Sequence, residues 1–218
     1  MPQSQTTASR VHLHWRLVSG VGSLALGAAL GLMVLVRGNA PLELDAEWME
    51  EIVEHRSSLW EVPSFVLNYV GSGWATSAIA LVLGIVLIAA RRPWTALFLV
   101  AAVIVSSVIV QGLKAAFGRL RPDDIMLSLD SGSFPSGHVA NAATLAAVVA
   151  IVAWRWWMVA AGAVYVVLMA LSRTYLGAHW VTDTVGGLLI GAGVAIIVWA
   201  PFAARILAER AVKRAVSQ

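Results

Sequence analysis

Three short clusters of polar residues stand out in this chain, each of a type and spacing that can do chemistry. In the first, Lys114 precedes Arg121-Pro122 by seven positions. Gly118 offers a helix stop and Pro122 keeps Arg121 out of helical geometry, so a lysine on a last turn and an arginine on the next loop can converge. The second is Pro135-Ser136-Gly137-His138. Ser136 is an N-cap residue, Gly137 lets a ligand approach the backbone, and the free N–H groups of a helix start attract an anion. The third is Ser172-Arg173, then His179, then Asp183. Four-residue spacing puts His179 and Asp183 on one face of a helix, where the carboxylate can hold the Nδ1 proton and leave Nε2 as nucleophile or base. Each cluster alone has a plainer reading: cations flanking a helix end, a capped helix start, a histidine–aspartate pair pinning two helices. Together they give three cations, two histidines, an aspartate and a helix N-terminus, a set suited to a phosphate dianion without a metal.

The elements that must position these residues are membrane helices. Of 218 residues, 59% are hydrophobic and only 12% charged, with a mean hydropathy of +0.80. A soluble domain of this size carries about twice that charge. There is no cysteine, which excludes disulfides, thiolate metal sites and a cysteine nucleophile. Six long runs lack Asp, Glu, Lys and Arg: 17–36, 62–90, 93–113, 131–154, 156–172 and 184–204. About 20 apolar residues cross a bilayer, and none of these runs alternates as a barrel strand does. The chain therefore reads as all-α, six transmembrane helices in one bundle over 17–204, with a segment 1–16 before it and a basic tail 205–218 after it. The fourth helix should start near His138, after the loop Ser131–Gly137, and the fifth should continue past Arg173. The first run exceeds a signal-peptide core and reads as a retained helix.

Six spans put both termini on one side. That side holds Arg10, Arg16, Arg91, Arg92, Arg155, Arg205, Arg210, Lys213 and Arg214 with one acid, Glu209; the other holds six basic residues and the other eleven acids. The balance, +8 against −5, places the termini in the cytoplasm of a cell membrane and all three clusters on the outer face. The basic tail reads as a topology and headgroup signal rather than a nucleic-acid site. Trp15, Trp94, Trp154, Trp156, Trp157 and Trp199 fall near inner ends and Trp48, Trp60 and Trp180 near outer ones; Trp74 sits too far inside its run to fit such a belt. The outer loop 37–61 carries Leu44, Trp48 and Ile52 among six acids, the pattern of a short amphipathic helix acting as connector or lid. Gly27-x-x-x-Gly31 and Gly187-x-x-x-Gly191 are helix-packing signals.

These residues resemble the type 2 phosphatidic acid phosphatase family, whose pocket is shared with vanadium haloperoxidases. Its motifs K-x6-R-P, P-S-G-H and S-R-x5-H-x3-D are matched, in order, by Lys114/Arg121-Pro122, Pro135–His138 and Ser172-Arg173/His179/Asp183, at eleven fixed positions between 114 and 183. Residues 1–60 carry none of the likeness. The resemblance implies that His179 attacks phosphorus and forms a phosphohistidine, Asp183 orients it, and His138 protonates the leaving oxygen and then activates water. Lys114, Arg121, Ser136, the Gly137 amide and Arg173 would hold the phosphoryl oxygens; Ser172 has no assigned chemistry, and Arg119, Asp123 and Asp124 read as local structure. The implied activity is hydrolysis of a lipid phosphate (undecaprenyl diphosphate, phosphatidylglycerol phosphate or phosphatidic acid), with no cofactor and no metal. The partners are the phosphorylated lipid and the bilayer, not nucleic acid. A lipid phosphotransferase using the same intermediate, or a silent lipid-binding or transport protein, stands as the alternative; a haloperoxidase is disfavoured because those enzymes are soluble. Neither the choice of lipid nor the oligomeric state is written in the spacing.

Overall fold

A computed structural model of the protein describes residues 3–128, 132–153 and 155–216, without the side chains of 3–13 and 212–216. Ser131 and Trp154 therefore lie outside the described residues, as do the side chains of Arg10, Lys213 and Arg214. Nine α-helices and no strand occur among the described residues: α1 (Gln3–Val36), α2 (Glu43–Glu54), α3 (Ser58–Val70), α4 (Gly73–Ala89), α5 (Pro93–Phe117), α6 (Gly137–Ala153), α7 (Trp156–Tyr175), α8 (Val181–Trp199) and α9 (Ala203–Val216).

Four stretches are long and apolar enough to cross a membrane by themselves: His14–Val36, Pro93–Phe117, Trp156–Tyr175 and Val181–Ala211. The run 62–90 is not one straight helix. It is α3 and α4, which meet at a bend of 60°. The break has a local cause: Gly71 closes α3, and the Ser72 hydroxyl caps α4 by accepting from the Ala75 amide at 3.3 Å. The break also explains Trp74, which stands at the exposed first turn of α4 rather than deep within a span. Helix α6 has 17 residues and starts at Gly137, and α7 continues past Arg173 to Tyr175. The basic tail is helical: one turn of 3-10 helix, Ala200–Phe202, joins α8 to α9.

Helix α8 is the centre of the bundle, with α1 on one side and α6 on the other. Its glycines set the spacing. A Cβ on Gly187 would stand 2.5 Å from the Ser136 carbonyl oxygen, and one on Gly191 would stand 2.3 Å from that of Ala140. Small residues let membrane helices approach this closely. Below the polar end, Val110, Ala140, Ile190 and Val194 pack as one apolar cluster, and Phe98, Leu99, Ala102, Val148, Ala195 and Ile206 form a larger one toward the opposite end. There the Glu209 carboxylate caps α5, accepting from the Trp94 and Thr95 amides at 2.6 and 3.2 Å.

Helix α2 is the amphipathic helix expected in 37–61, but its buried face is rotated from the expected one. Leu44 is exposed, whereas Asp45 and Met49 are buried. Asp45 had the look of a solvated acid. Its burial follows from its partners, described below.

Candidate active site

Helix α5 ends where Gly118 takes a left-handed conformation (φ 54°), three residues before Arg121. The Lys114 ammonium on the last turn does not snorkel to solvent. It is buried and donates to the carbonyls of Gly132 and Ser133. Arg121 donates to the Ala178 carbonyl, and to that of Gly132 at 3.4 Å. The Ser136 amide donates to the Asp183 carbonyl oxygen at 2.9 Å, which sets the start of α6 against the start of α8. A turn at Gly177 (φ +64°) brings the chain from Arg173 on α7 back to His179. Only glycine fits there, because a Cβ would meet the Asp124 carbonyl oxygen at 2.5 Å.

All three sequence clusters thus meet at one end of the bundle, around a cavity of about 190 Å³. Its wall includes Lys114, Arg121, Gly137, His138, Arg173 and His179. It also includes Ser107, Val110 and Gln111, roughly two to three turns below the end of α5, so the cavity extends along the span rather than staying at its mouth. Several donors here lack partners: the hydroxyl of Ser136, which is fully buried, and Nε and Nη2 of Arg173. Buried donors are almost always satisfied in folded proteins, so orphaned donors beside three cations could together hold an anion.

His179 and Asp183 are not on one helix. His179 lies in the turn ahead of α8, and Asp183 is the third residue of α8, where its Oδ2 accepts from the Trp180 amide at 2.9 Å. Four-residue spacing still brings them together, because the helix start curls the chain back. The His179 Nδ1 stands 3.6 Å from Asp183 Oδ2, an ion-pair distance longer than a hydrogen bond. Its Nε2 faces Arg121 Nη1 at 3.5 Å. Burial first, then the nearby Lys114, Arg173 and Arg121 cations, hold the His179 imidazole well below the usual histidine range. These influences favour the neutral ring, the form that can act as a nucleophile.

Three further residues belong to this constellation. Asn68, next to the α3–α4 break, accepts a hydrogen bond from His138 Nε2 on its carbonyl oxygen at 2.9 Å, and one from Arg173 Nη1 on its side chain at 2.6 Å. A carbonyl can only accept, so Nε2 of His138 carries a proton. The signal for Asn68 was present as an amide inside an apolar run. Arg119 and Asp45 are the other two. Arg119 is not merely local structure: its guanidinium bridges Asp183 Oδ1 at 2.6 Å and Asp45 Oδ2 at 2.9 Å, with every side chain involved fully buried. Ser172 donates to the Ser64 carbonyl at 2.9 Å, fastening α7 to α3.

A second cavity, of about 440 Å³ and mostly apolar, lies between α2, α3 and α7, with Trp48, Ile52, Leu67 and Leu171 in its wall.

A family model described as the PAP2 superfamily matches residues 95–206. The phosphatidylglycerophosphatase B of Bacillus subtilis is 33% identical over 111 residues, 46% of this chain and 55% of that relative. The undecaprenyl-diphosphatase of Sulfolobus acidocaldarius is 33% identical over 66 residues, 30% of this chain and 31% of the relative. The chain thus spans about half, or less, of the length of these curated relatives. Among solved structures, the first transmembrane PAP2 type phosphatidylglycerolphosphate phosphatase from Bacillus subtilis superposes with a TM-score of 0.72 at 23% identity, covering 83% of this chain and 94% of that one. This likeness is one of fold. LpxE from Aquifex aeolicus superposes with a TM-score of 0.64 at 29% identity, covering 72% and 95%.

Proposed function

Because the chain belongs to the PAP2 superfamily, we propose that it is a multi-pass membrane enzyme that removes phosphate from a lipid phosphomonoester or diphosphate through a phosphohistidine. One observation carries this reading: the two histidines and three cations of the sequence motifs converge on one cavity where Arg173 Nε and Nη2 have no partner, and the unpartnered Ser136 hydroxyl stands one residue before its wall at Gly137. Lys114, Arg121, Arg173, Ser136 and the Gly137 amide hold the phosphoryl oxygens. The neutral His179 Nε2 attacks phosphorus in line, and the bond to the leaving oxygen breaks as the phosphorus–nitrogen bond forms. His138, which must enter this step as imidazolium with its Nε2 proton on the Asn68 carbonyl, gives that oxygen its Nδ1 proton and becomes neutral. It then takes one from water, which attacks the phosphohistidine and frees inorganic phosphate and His179. Asp183 steadies the charge that builds on the imidazole. The cations do the work a metal does elsewhere, so the reaction runs without one.

In this reading α3 and α4 together make one broken span and α6 a short one, giving six, with cytoplasmic termini and the cavity on the outer face. The phosphorylated headgroups named for the two curated relatives, phosphatidylglycerol phosphate and undecaprenyl diphosphate, are the substrates to test first, with phosphatidic acid. The purified full chain in detergent, with chelator present, should release phosphate from at least one of the three, and His179→Ala should not. No release above the His179→Ala level from any of them overturns the reading. Reporter fusions after Gln218 and within 38–60 should lie on opposite sides of the membrane; fusions on the same side overturn the topology.

A further inference from the structure

Arg119 does not line the cavity, yet its guanidinium has several buried partners. It donates to Asp183 Oδ1 at 2.6 Å, to Thr182 Oγ1 at 2.7 Å and to Asp45 Oδ2 at 2.9 Å, beneath the Trp180 ring. Asp45 in turn receives the start of α8. Its Oδ1 accepts from the Thr182 amide at 2.9 Å and its Oδ2 from the Thr182 hydroxyl at 2.8 Å, while the same carboxylate accepts from the Leu42 amide at its own helix start. The outer helix α2 is therefore tied, through one carboxylate and one guanidinium, to the carboxylate that faces His179. Isolated buried charges are prohibitively costly, so the three ions hold one another in place.

We propose that Arg119 and Asp45 are positioning residues for His179: they divide one positive charge between two carboxylates, and that division fixes where Asp183 points and how strongly it draws a proton to His179. The proposal rests on the reading of His179 as the reacting group. Charged and titratable groups face His179 from every side: Lys114 on α5, Arg121 on the following loop, His138 on α6, Arg173 on α7 and Asp183 on α8. Behind Asp183 stand Arg119 and Asp45. Removing the cation leaves two carboxylates uncompensated and must favour imidazolium. Removing Asp45 leaves Arg119 wholly to Asp183 and must disfavour it.

The test uses the full chain in detergent with labelled histidine, following the His179 ring by NMR against pH, its signal assigned by its absence in His179→Ala. Arg119→Met should raise the midpoint by about one unit, as loss of one nearby charge does. Asp45→Asn should lower it, and the double variant should return close to wild type. With phosphatidic acid, or whichever tested lipid the wild type cleaves, kcat should fall about 10- to 100-fold in each single variant, the range seen when a group orienting a reacting side chain is lost, with KM changed less than about threefold. Arg119→Lys, which keeps the charge but loses the fork, should recover the midpoint and only part of kcat. A purely structural bridge would lower the melting temperature and leave the midpoints alone, and that outcome overturns the proposal. If Arg119→Met does not fold, the comparison of wild type with Asp45→Asn decides by itself. A wild type that cleaves no lipid phosphate defeats the proposed function and leaves the order of midpoints to judge this inference.

Discussion

Arg119 and Arg173 are both fully buried arginines near the same end of the bundle, but their surroundings differ. Arg119 lies between two carboxylates and is beyond reach of the cavity. Arg173 has one neutral partner, the Asn68 amide, and turns orphaned donors toward a space it shares with Lys114 and Arg121. The first is charge compensated by the protein itself. The second is charge that the protein does not itself compensate, and in the proposed function a phosphate would compensate it. Burial alone does not separate a structural ion from a functional one; the sign of what surrounds it does.

The largest effect should come from the proposed reacting atom between these regions. His179→Ala removes the proposed nucleophile, and we expect a loss of about 10⁴-fold or more in phosphate release, comparable to losing a triad member. Rapid quench with labelled substrate should find no phosphoenzyme. Acid-labile label that persists in this variant would mean that another residue is the nucleophile.

Next, the two arginines should part company in stability. Arg173→Ala should cost about 10²- to 10³-fold in rate, as removal of a donor aimed at a transition-state anion does. Its melting temperature without ligand should be no lower than that of the wild type, because one of three repelling cations is gone. Arg119→Met should melt lower, since two buried carboxylates lose their partner, a cost of about 3–5 kcal/mol. Equal losses of stability would erase the distinction drawn here.

Vanadate or phosphate sharpens the same contrast. At about 100 times its dissociation constant, an anion that binds only the folded state stabilises it by about 2.7 kcal/mol. The melting temperature of the wild type should rise accordingly, that of Arg173→Ala far less, and chelator should change neither. A requirement for magnesium in binding or turnover would contradict the role given to the cations.

The pH profile should bear the mark of burial and the nearby cations. His179 protonates well below the usual histidine range because of burial and the cations around it. A lowered value keeps the ring neutral to lower pH, so the acid limb of kcat/KM, which reports the free enzyme, should fall below pH 6.5. An acid limb above that value would place His179 under net negative influence. The smallest effect belongs to the far end. Glu209→Gln weakens the cap on α5 and should cost about 0.5–2 kcal/mol in stability, with turnover changed less than about twofold.

Much of this was legible in the chain order. The charge-free runs specified an all-helical membrane protein, and the motif spacing named every residue from the three clusters that meets at the cavity. Both are local properties. A bilayer forces a long apolar run to close its own backbone hydrogen bonds, and a helix start or a glycine turn fixes how residues a few positions apart converge. His179 and Asp183 met even though the helix assumed for the pair begins only at Val181, because a short separation tolerates either geometry. Other features depended on residues distant in sequence. The run 62–90 breaks locally at Gly71 and Ser72, but what the break is held against is decided by His138, Arg173 and Asn141 from other helices. That Asp45 is buried while its neighbour Leu44 is exposed is decided by Arg119 and Thr182, 74 and 137 positions away. An acid on an amphipathic helix is solvated unless a buried cation is brought to it, and only the packing of α2 against the loop after α5 and the start of α8 brings Arg119 to this one.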